Sequence, residues 1–152
     1  MAYVTAEARQ DLLDALAMAT DDIGVALGAL GDAFELLDDT TAEQLEDTLF
    51  GPVQAAYGRA KRTHTEFADR HGLPRRPFAS PSPGAPSRGV KGFLDLAVDA
   101  VGRADHALAE VQDSMLPVEV GDAELRAGMS EVRRQLGDVT GQARQLVSRL
   151  GR

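Results

Sequence analysis

Residues 125–150 read LRAGMSEVRRQLGDVTGQARQLVSRL, and the spacing of their apolar side chains decides the fold. These side chains recur at alternating intervals of four and three residues, at Leu125, Met129, Val132, Leu136, Val139, Ala143, Leu146 and Leu150. Because an α-helix repeats every 3.6 residues, this alternation places all of them on one helical face. The stretch therefore predicts a long amphipathic helix that must pack its apolar face against other helices.

Three further stretches have the same rhythm. The first contains Leu13, Leu16, Thr20, Ile23, Leu27, Leu30, Phe34 and Leu37. The second contains Leu49, Val53, Ala56, Ala60, Thr63 and Phe67, and the third contains Leu94, Ala97, Val101, Ala104, Leu108, Val111 and Met115. We predict helices at about residues 6–38, 42–71, 90–116 and 122–150. The expected fold is all-α, a four-helix bundle that forms a single domain over residues 1–152.

Residues at the expected helix ends support these boundaries. Thr41 and Gln44 have the spacing of a capping box, in which the two side chains bond to free amides at a helix start. Gly72 is suited to a left-handed C-cap, and Asp122 is suited to an N-cap. Pro52 falls inside the second helix, where it removes one helical hydrogen bond. We therefore expect a kinked helix, or a short helix followed by a second one with Pro52 in its first turn, and not a loop.

A proline-rich loop at residues 73–89, LPRRPFASPSPGAPSRG, separates the second helix from the third. The other two links are short and force their helices to be antiparallel neighbours. Extended like polyproline, the loop would reach about 50 Å, enough to run the length of the bundle. We favour an up-down-up-down connection, because short connections between sequential helices are common. The alternative is a ferritin-like crossover between helices two and three, which brings opposite charges together.

Composition restricts the environment and the partners. The chain has no cysteine, which suits a reducing compartment, and its N-terminus lacks the features of a secretory signal. No apolar stretch has the length of a membrane span. The net charge of −8 opposes attraction to nucleic acid and to anionic membranes. We therefore predict a cytoplasmic protein that does not bind membranes or nucleic acid.

Charge is distributed unevenly along the chain. Residues 1–58 contain 12 acids and one base, whereas residues 59–91 contain two acids and eight bases. In the up-down-up-down arrangement, these bases collect at one end of the bundle and the acids at the other. We predict a partner-binding surface at the basic end, formed by Arg59, Arg62, Arg70, Arg75, Arg76, Arg88 and Lys91.

Motifs for catalysis are weak in this chain. A di-iron carboxylate site in a bundle needs Glu-x-x-His pairs, and the sequence has none. The histidines, His64, His71 and His106, lack metal-chelating spacing, and neither His64 nor His106 is followed by the lysine and glycine of histidine phosphotransfer domains. We predict no catalytic, cofactor-binding or metal-binding residues and no bound cofactor.

One motif resembles that of a known family. The stretch Arg59-Ala-Lys-Arg-Thr-His64 is similar to the Arg-x-x-x-x-His motif of helical ribonucleases of the HEPN type, although alanine follows the arginine where that family usually has a polar residue. The resemblance implies His64 as an acid or base and Arg59 as a phosphate ligand, in a symmetric dimer.

We expect a non-enzymatic helical bundle that acts by binding another protein or by self-association. The alternatives are a carrier of a small ligand or metal, and the ribonuclease. A carrier should contain a polar cavity near Pro52, whereas an adaptor should have a filled core and its distinctive residues on the surface.

Overall fold

The regular structure of the protein is helical. A computed structural model describes residues 2–79 and 89–150, and the described residues contain no β-strand. The elements are α1 (Ala2–Glu35), α2 (Asp39–Leu45), a π-helical turn (Glu46–Phe50), α3 (Gly51–Arg70), α4 (Gly89–Asp113), α5 (Leu116–Glu119), α6 (Ala123–Leu136) and α7 (Val139–Leu150). The all-α prediction is confirmed. No helix within the described ranges is both long enough and apolar enough to cross a bilayer.

Local side chains determine where these helices begin and end. Asp122 caps α6 by accepting a hydrogen bond from the Leu125 amide at 2.8 Å, as predicted. Gly72 ends α3 with a φ of 65°, a left-handed conformation that favours glycine. The predicted capping box was wrong, because Asp38 caps α2 and accepts from the Thr41 amide at 2.8 Å. The helix therefore starts before Thr41, not at it.

Pro52 explains the π-helical turn between α2 and α3. Proline has no amide hydrogen, and its ring clashes with the carbonyl four residues earlier in a regular α-helix. The backbone widens by one residue, and the Gly51 amide bonds to the Glu46 carbonyl, five residues back. The buried residues Leu45, Leu49 and Val53 stay on one side through the turn. The helix is thus continuous past Pro52, and the prediction of no loop is confirmed.

The predicted fourth helix consists of two segments. α6 ends at Leu136 and α7 begins at Val139, with two residues in a turn between them. Leu136 and Val139 are both buried, so the apolar face continues across the interruption.

The core consists of aliphatic side chains at the predicted positions. α1 packs mainly against α4, and α3 packs mainly against α6. Small buried side chains let α1 and α4 approach closely, namely Ala19, Ala26, Ala33, Ala97, Ala100 and Ala104. Two buried threonines donate hydrogen bonds to carbonyls of their own helices at 2.8 Å, Thr20 to Leu16 and Thr63 to Arg59. These bonds satisfy the hydroxyl groups inside an otherwise apolar core.

Contacts between the ends of the helices define their directions. At one end, Arg70 in the last turn of α3 pairs with Asp122 at the start of α6. At the other end, Arg149 of α7 bonds to Gln44 of α2 at 3.2 Å. The first turns of α4 also lie at this second end, because Leu94 and Asp95 share a groove with the last turns of α7.

α4 therefore begins at the end of the molecule opposite to the end of α3. α4 is antiparallel to α1, because Arg103 pairs with Asp22 and the Arg9 guanidinium donates to the Val120 carbonyl just beyond α4. It follows that α4 runs in the same direction as α2 and α3. These contacts contradict the favoured up-down-up-down connection, because α3 and α4 run in the same direction.

Candidate protein-binding surfaces

Residues 72–79, which we call the strap, form the first part of the proline-rich loop and pack along α1 and α3. The Arg76 guanidinium makes two hydrogen bonds to Asp21 of α1, at 3.0 and 2.7 Å. The Tyr57 hydroxyl of α3 donates to the Ala79 carbonyl at 2.7 Å. The strap thus runs back along α3, from the level of residue 69 to that of residue 57. The strap therefore leads the chain away from the end of α3, towards the end of the molecule where α4 begins.

His64 lies beneath the strap. It is 2% exposed, and the edge of its ring meets the Phe78 ring with the centroids 5.3 Å apart. Its Nδ1 is buried without a hydrogen-bond partner within the described part of the chain. Burial lowers the pKa of His64, and the nearby charge of Arg76 lowers it further, against the opposing effect of Asp14 and Asp21.

Four of the seven predicted binding residues pair with acids of the same chain, and three of these four lie at the end of α3 or in the strap. Arg70 binds Asp122 through two hydrogen bonds of 2.8 Å, and Arg75 binds Asp69 in the same way. Arg76 binds Asp21 within the strap contact described above. Their charges are therefore largely compensated inside the monomer.

The other predicted residues do not all lie near these three. Lys91 lies at the opposite end of the molecule from Arg70 and pairs with Asp95. Arg59 and Arg62 lie on α3, and neither has an ion pair with another described residue. Arg88 lies outside the described residues. The expected single basic end is therefore wrong as a geometric arrangement, and a role of these residues in binding stays a prediction.

A shallow groove of about 410 Å³ lies beside the strap. Its lining includes Lys61, Arg62 and Arg76, together with Glu66 and Phe78. Lys61 lies 4.4 Å above the Tyr57 ring, and Arg76 lies 4.8 Å from the Phe78 ring. The cations of this groove are held against aromatic rings and an internal acid.

A second surface, which we call the acidic end, surrounds the turn between α1 and α2. Phe34 is 37% exposed and Leu36 is 55% exposed, although Phe34 was predicted to be part of the apolar seam. α1 ends at Glu35, so the last turn of the seam has no helix over it. Large apolar side chains are exposed here beside acids. This distinguishes the surface from the groove beside the strap, which is lined by Lys61, Arg62 and Arg76 and which we call the basic groove.

Two grooves meet at Phe34. A groove of about 390 Å³ is lined by Phe34, Glu35, Leu37, Asp39, Ala42, Glu43 and Glu46. A smaller one of about 210 Å³ is lined by Gly31, Phe34, Glu35, Glu46 and Phe50. Phe34, Glu35 and Glu46 belong to both, so the two grooves form one continuous surface. The π-helical turn places Glu46 and Phe50 at its border.

Four carboxylates line this surface, and none of them pairs with a cation in the described residues: Glu35, Asp39, Glu43 and Glu46. In contrast, Asp21, Asp69, Asp105 and Asp122 each bind an arginine. The acidic end therefore combines uncompensated negative charge with exposed apolar side chains. The sequence contained a signal for it in FELLDD, residues 34–39, where apolar and acidic residues alternate in blocks.

Apolar side chains occupy the interior at the level of Pro52. Leu45, Leu49 and Val53 are completely buried around the π-helical turn. Among residues 2–79 and 89–150, no group of three or more histidine, aspartate or glutamate residues is arranged to hold a metal ion.

Known proteins give no further guide to function. No protein-family model matches the chain, and no curated protein or solved structure matches it either.

Proposed function

We propose that the protein is a four-helix bundle of the crossover type that acts, without catalysis, by binding another protein. The buried apolar side chains at the level of Pro52 support an adaptor over a carrier, because a carrier needs a cavity with converging polar groups. The burial of His64 under Phe78 weighs against the ribonuclease, since an acid or base must reach its substrate. The absence of cysteine from the sequence favours a reducing compartment, and we propose the cytoplasm as its location.

The observation that carries this proposal is the exposed apolar surface at Phe34. Protein-binding sites are often apolar at their centre and polar at the rim, and aromatic side chains are enriched in them. Phe34 has this position, with grooves on two sides and carboxylates around them. We therefore assign the binding surface to the acidic end. The sequence predicted a basic surface instead, and of its seven residues Arg62 and Arg76 line the groove beside the strap.

Site-specific photo-crosslinking in the native host tests this assignment. A photoreactive phenylalanine analogue replaces Phe34 in one variant and Met18 in the control. Met18 is 69% exposed on the middle of α1, outside both grooves. We expect a discrete crosslinked species from position 34 and none from position 18. Equal products from both positions, or none from position 34, would contradict the proposal.

A further inference from the structure

The acidic end offers a partner both an apolar floor and a negatively charged rim. The floor is formed by the side chains of Phe34, Leu37, Ala42 and Phe50, with Gly31 between them. An anchor side chain placed against Phe34 would displace water from two grooves at once. A partner that fills the two grooves must therefore contribute at least one large apolar side chain.

The spacing of the rim acids suggests the shape of the partner. Asp39, Glu43 and Glu46 follow one another at intervals of four and three residues along α2 and the π-helical turn. The Cβ atoms of successive rim acids are therefore about 5 to 6 Å apart, close to one helical turn. A helix laid alongside presents side chains at the same interval when they are spaced by three or four residues. This match favours a helical partner segment over an extended one.

Charge determines which side chains that helix must carry. Four unpaired carboxylates line the surface, so an acidic partner, a nucleic acid or an anionic membrane meets like charge there. Lysine or arginine at every turn would instead meet an acid of the rim. Glu35 and Glu46, which border both grooves, lie next to the apolar anchor site and strengthen this preference.

Resting on the proposed function, we infer that the acidic end binds a cationic amphipathic helix of a partner protein. Its lysines or arginines, one helical turn apart, face Asp39, Glu43 and Glu46. Its apolar side chain packs against Phe34. This is the helix-in-groove mode of recognition, with charge selecting the partner and the apolar anchor stabilising the complex.

A synthetic peptide probes this directly. The probe is a helix of about 14 residues built from leucine, alanine and lysine, with lysines spaced one turn apart beside a leucine stripe. Its control replaces every lysine with glutamate. Binding is measured by fluorescence anisotropy, and the contact surface is mapped by the amide shifts of ¹⁵N-labelled protein.

Two matched charge reversals locate the interaction. E43K/E46K reverses two rim acids, whereas E7K/D11K reverses two exposed acids without ion pairs among the described residues, far along α1. We expect E43K/E46K to weaken binding of the lysine probe at least about tenfold, because like charges then face each other. E7K/D11K should change it less than about twofold, since charges beyond a Debye length are screened. F34A should also weaken it at least about tenfold, because the anchor loses its apolar contact.

The outcomes separate this inference from the proposed function. If both reversals weaken the probe equally, or if the shifts spread over the whole surface, attraction to net charge explains binding and the inference fails. If the lysine probe does not bind while crosslinks from position 34 persist, the partner is not a cationic helix, yet the binding surface stands. If the crosslinks are also absent, both proposals fail.

Discussion

Replacing Gly128 with alanine tests how closely α3 and α6 approach. A Cβ atom at residue 128 would lie 2.2 Å from the Thr63 Oγ1 and 2.7 Å from its Cγ2. Atoms do not tolerate either distance, so the threonine or one of the helices must move. The Thr63 hydroxyl is held by its bond to the Arg59 carbonyl at 2.8 Å, so rotating it away breaks that bond.

Opposing effects determine how much G128A changes the free energy of unfolding. Alanine is favoured over glycine inside a helix by about 1 kcal/mol. Overpacking a core costs about 1–3 kcal/mol, and losing the threonine hydrogen bond costs about 1 kcal/mol more. We therefore expect G128A to lower the free energy of unfolding by about 2 kcal/mol. Urea denaturation followed by circular dichroism measures this difference.

Two further variants make the result interpretable. Gly102 lies inside α4 with nothing within 4 Å of an added Cβ, so G102A should gain up to about 1 kcal/mol. T63A removes the two atoms nearest to the new methyl group, so T63A/G128A should recover part of the loss relative to the sum of the single changes. If G128A is as stable as G102A, the close approach of α3 and α6 is refuted.

Three more predictions concern ionisable groups and the strap. D122N keeps the cap on α6 but removes the negative charge that pairs with Arg70. It should lower the free energy of unfolding by about 1 kcal/mol at neutral pH, as measured by urea denaturation. Partial burial alone would raise the pKa of Asp122, but hydrogen bonds from Arg70, the Leu125 amide and His71 hold it well below its usual value. The folded state therefore binds a proton at Asp122 more weakly than the unfolded chain does. The stability of the wild type should fall as the pH drops below about 3.8, and D122N should lose less stability over this range. The pKa of His64 is also lowered, so the folded state binds a proton there more weakly than the unfolded chain does. The free energy of unfolding should therefore fall as the pH drops below about 6.5, and H64L should make this fall smaller in the same assay. F78A should move the pKa of His64 back towards 6.5, because the ring that covers it is gone, and NMR pH titration would show no movement if the strap did not bury it.

The fold class could be predicted from the sequence because it depends on local pattern. Apolar residues at intervals of three and four predicted the helices, and most of their side chains are buried, although Phe34, Met115 and Leu150 are exposed. Asp122 and Gly72 cap helices by chemistry that involves only a few neighbouring residues. Pro52 likewise distorts only its own turn, so its effect could be stated in advance.

The direction of α4 depended on contacts between residues far apart in sequence. Arg76 and Asp21 are 55 residues apart, and nothing in the local pattern pairs them. The loop is long enough for either connection, so its length did not decide between them. Charge favoured the crossover, but we gave more weight to the frequency of short connections. The contacts of the strap with Asp21, His64 and Tyr57 instead support the connection that charge favoured.

The sequence predicted a basic binding surface, whereas we propose an acidic one, and this difference has a physical reason. Arginines are conspicuous in a sequence with a net charge of −8, but a sequence does not show which of them already have partners. Phe34 has the spacing of a seam residue, yet the end of α1 leaves it uncovered. Exposure at a helix end depends on what packs beyond it, and periodicity carries no information about that.

The crossover has an electrostatic consequence for self-association. It brings the cations of Arg70, Arg75 and Arg76 to acids of the same chain, so their positive charge is not available to a second copy. The carboxylates of the acidic end stay uncompensated, and two copies meeting there would bring like charges together. Self-association through the acidic end should therefore be suppressed at low salt, whereas a cationic helix should bind most tightly under the same condition. Light scattering beside the peptide titration, both at low and high salt, separates these two behaviours, and a dimer strengthened at low salt would show that another face is used.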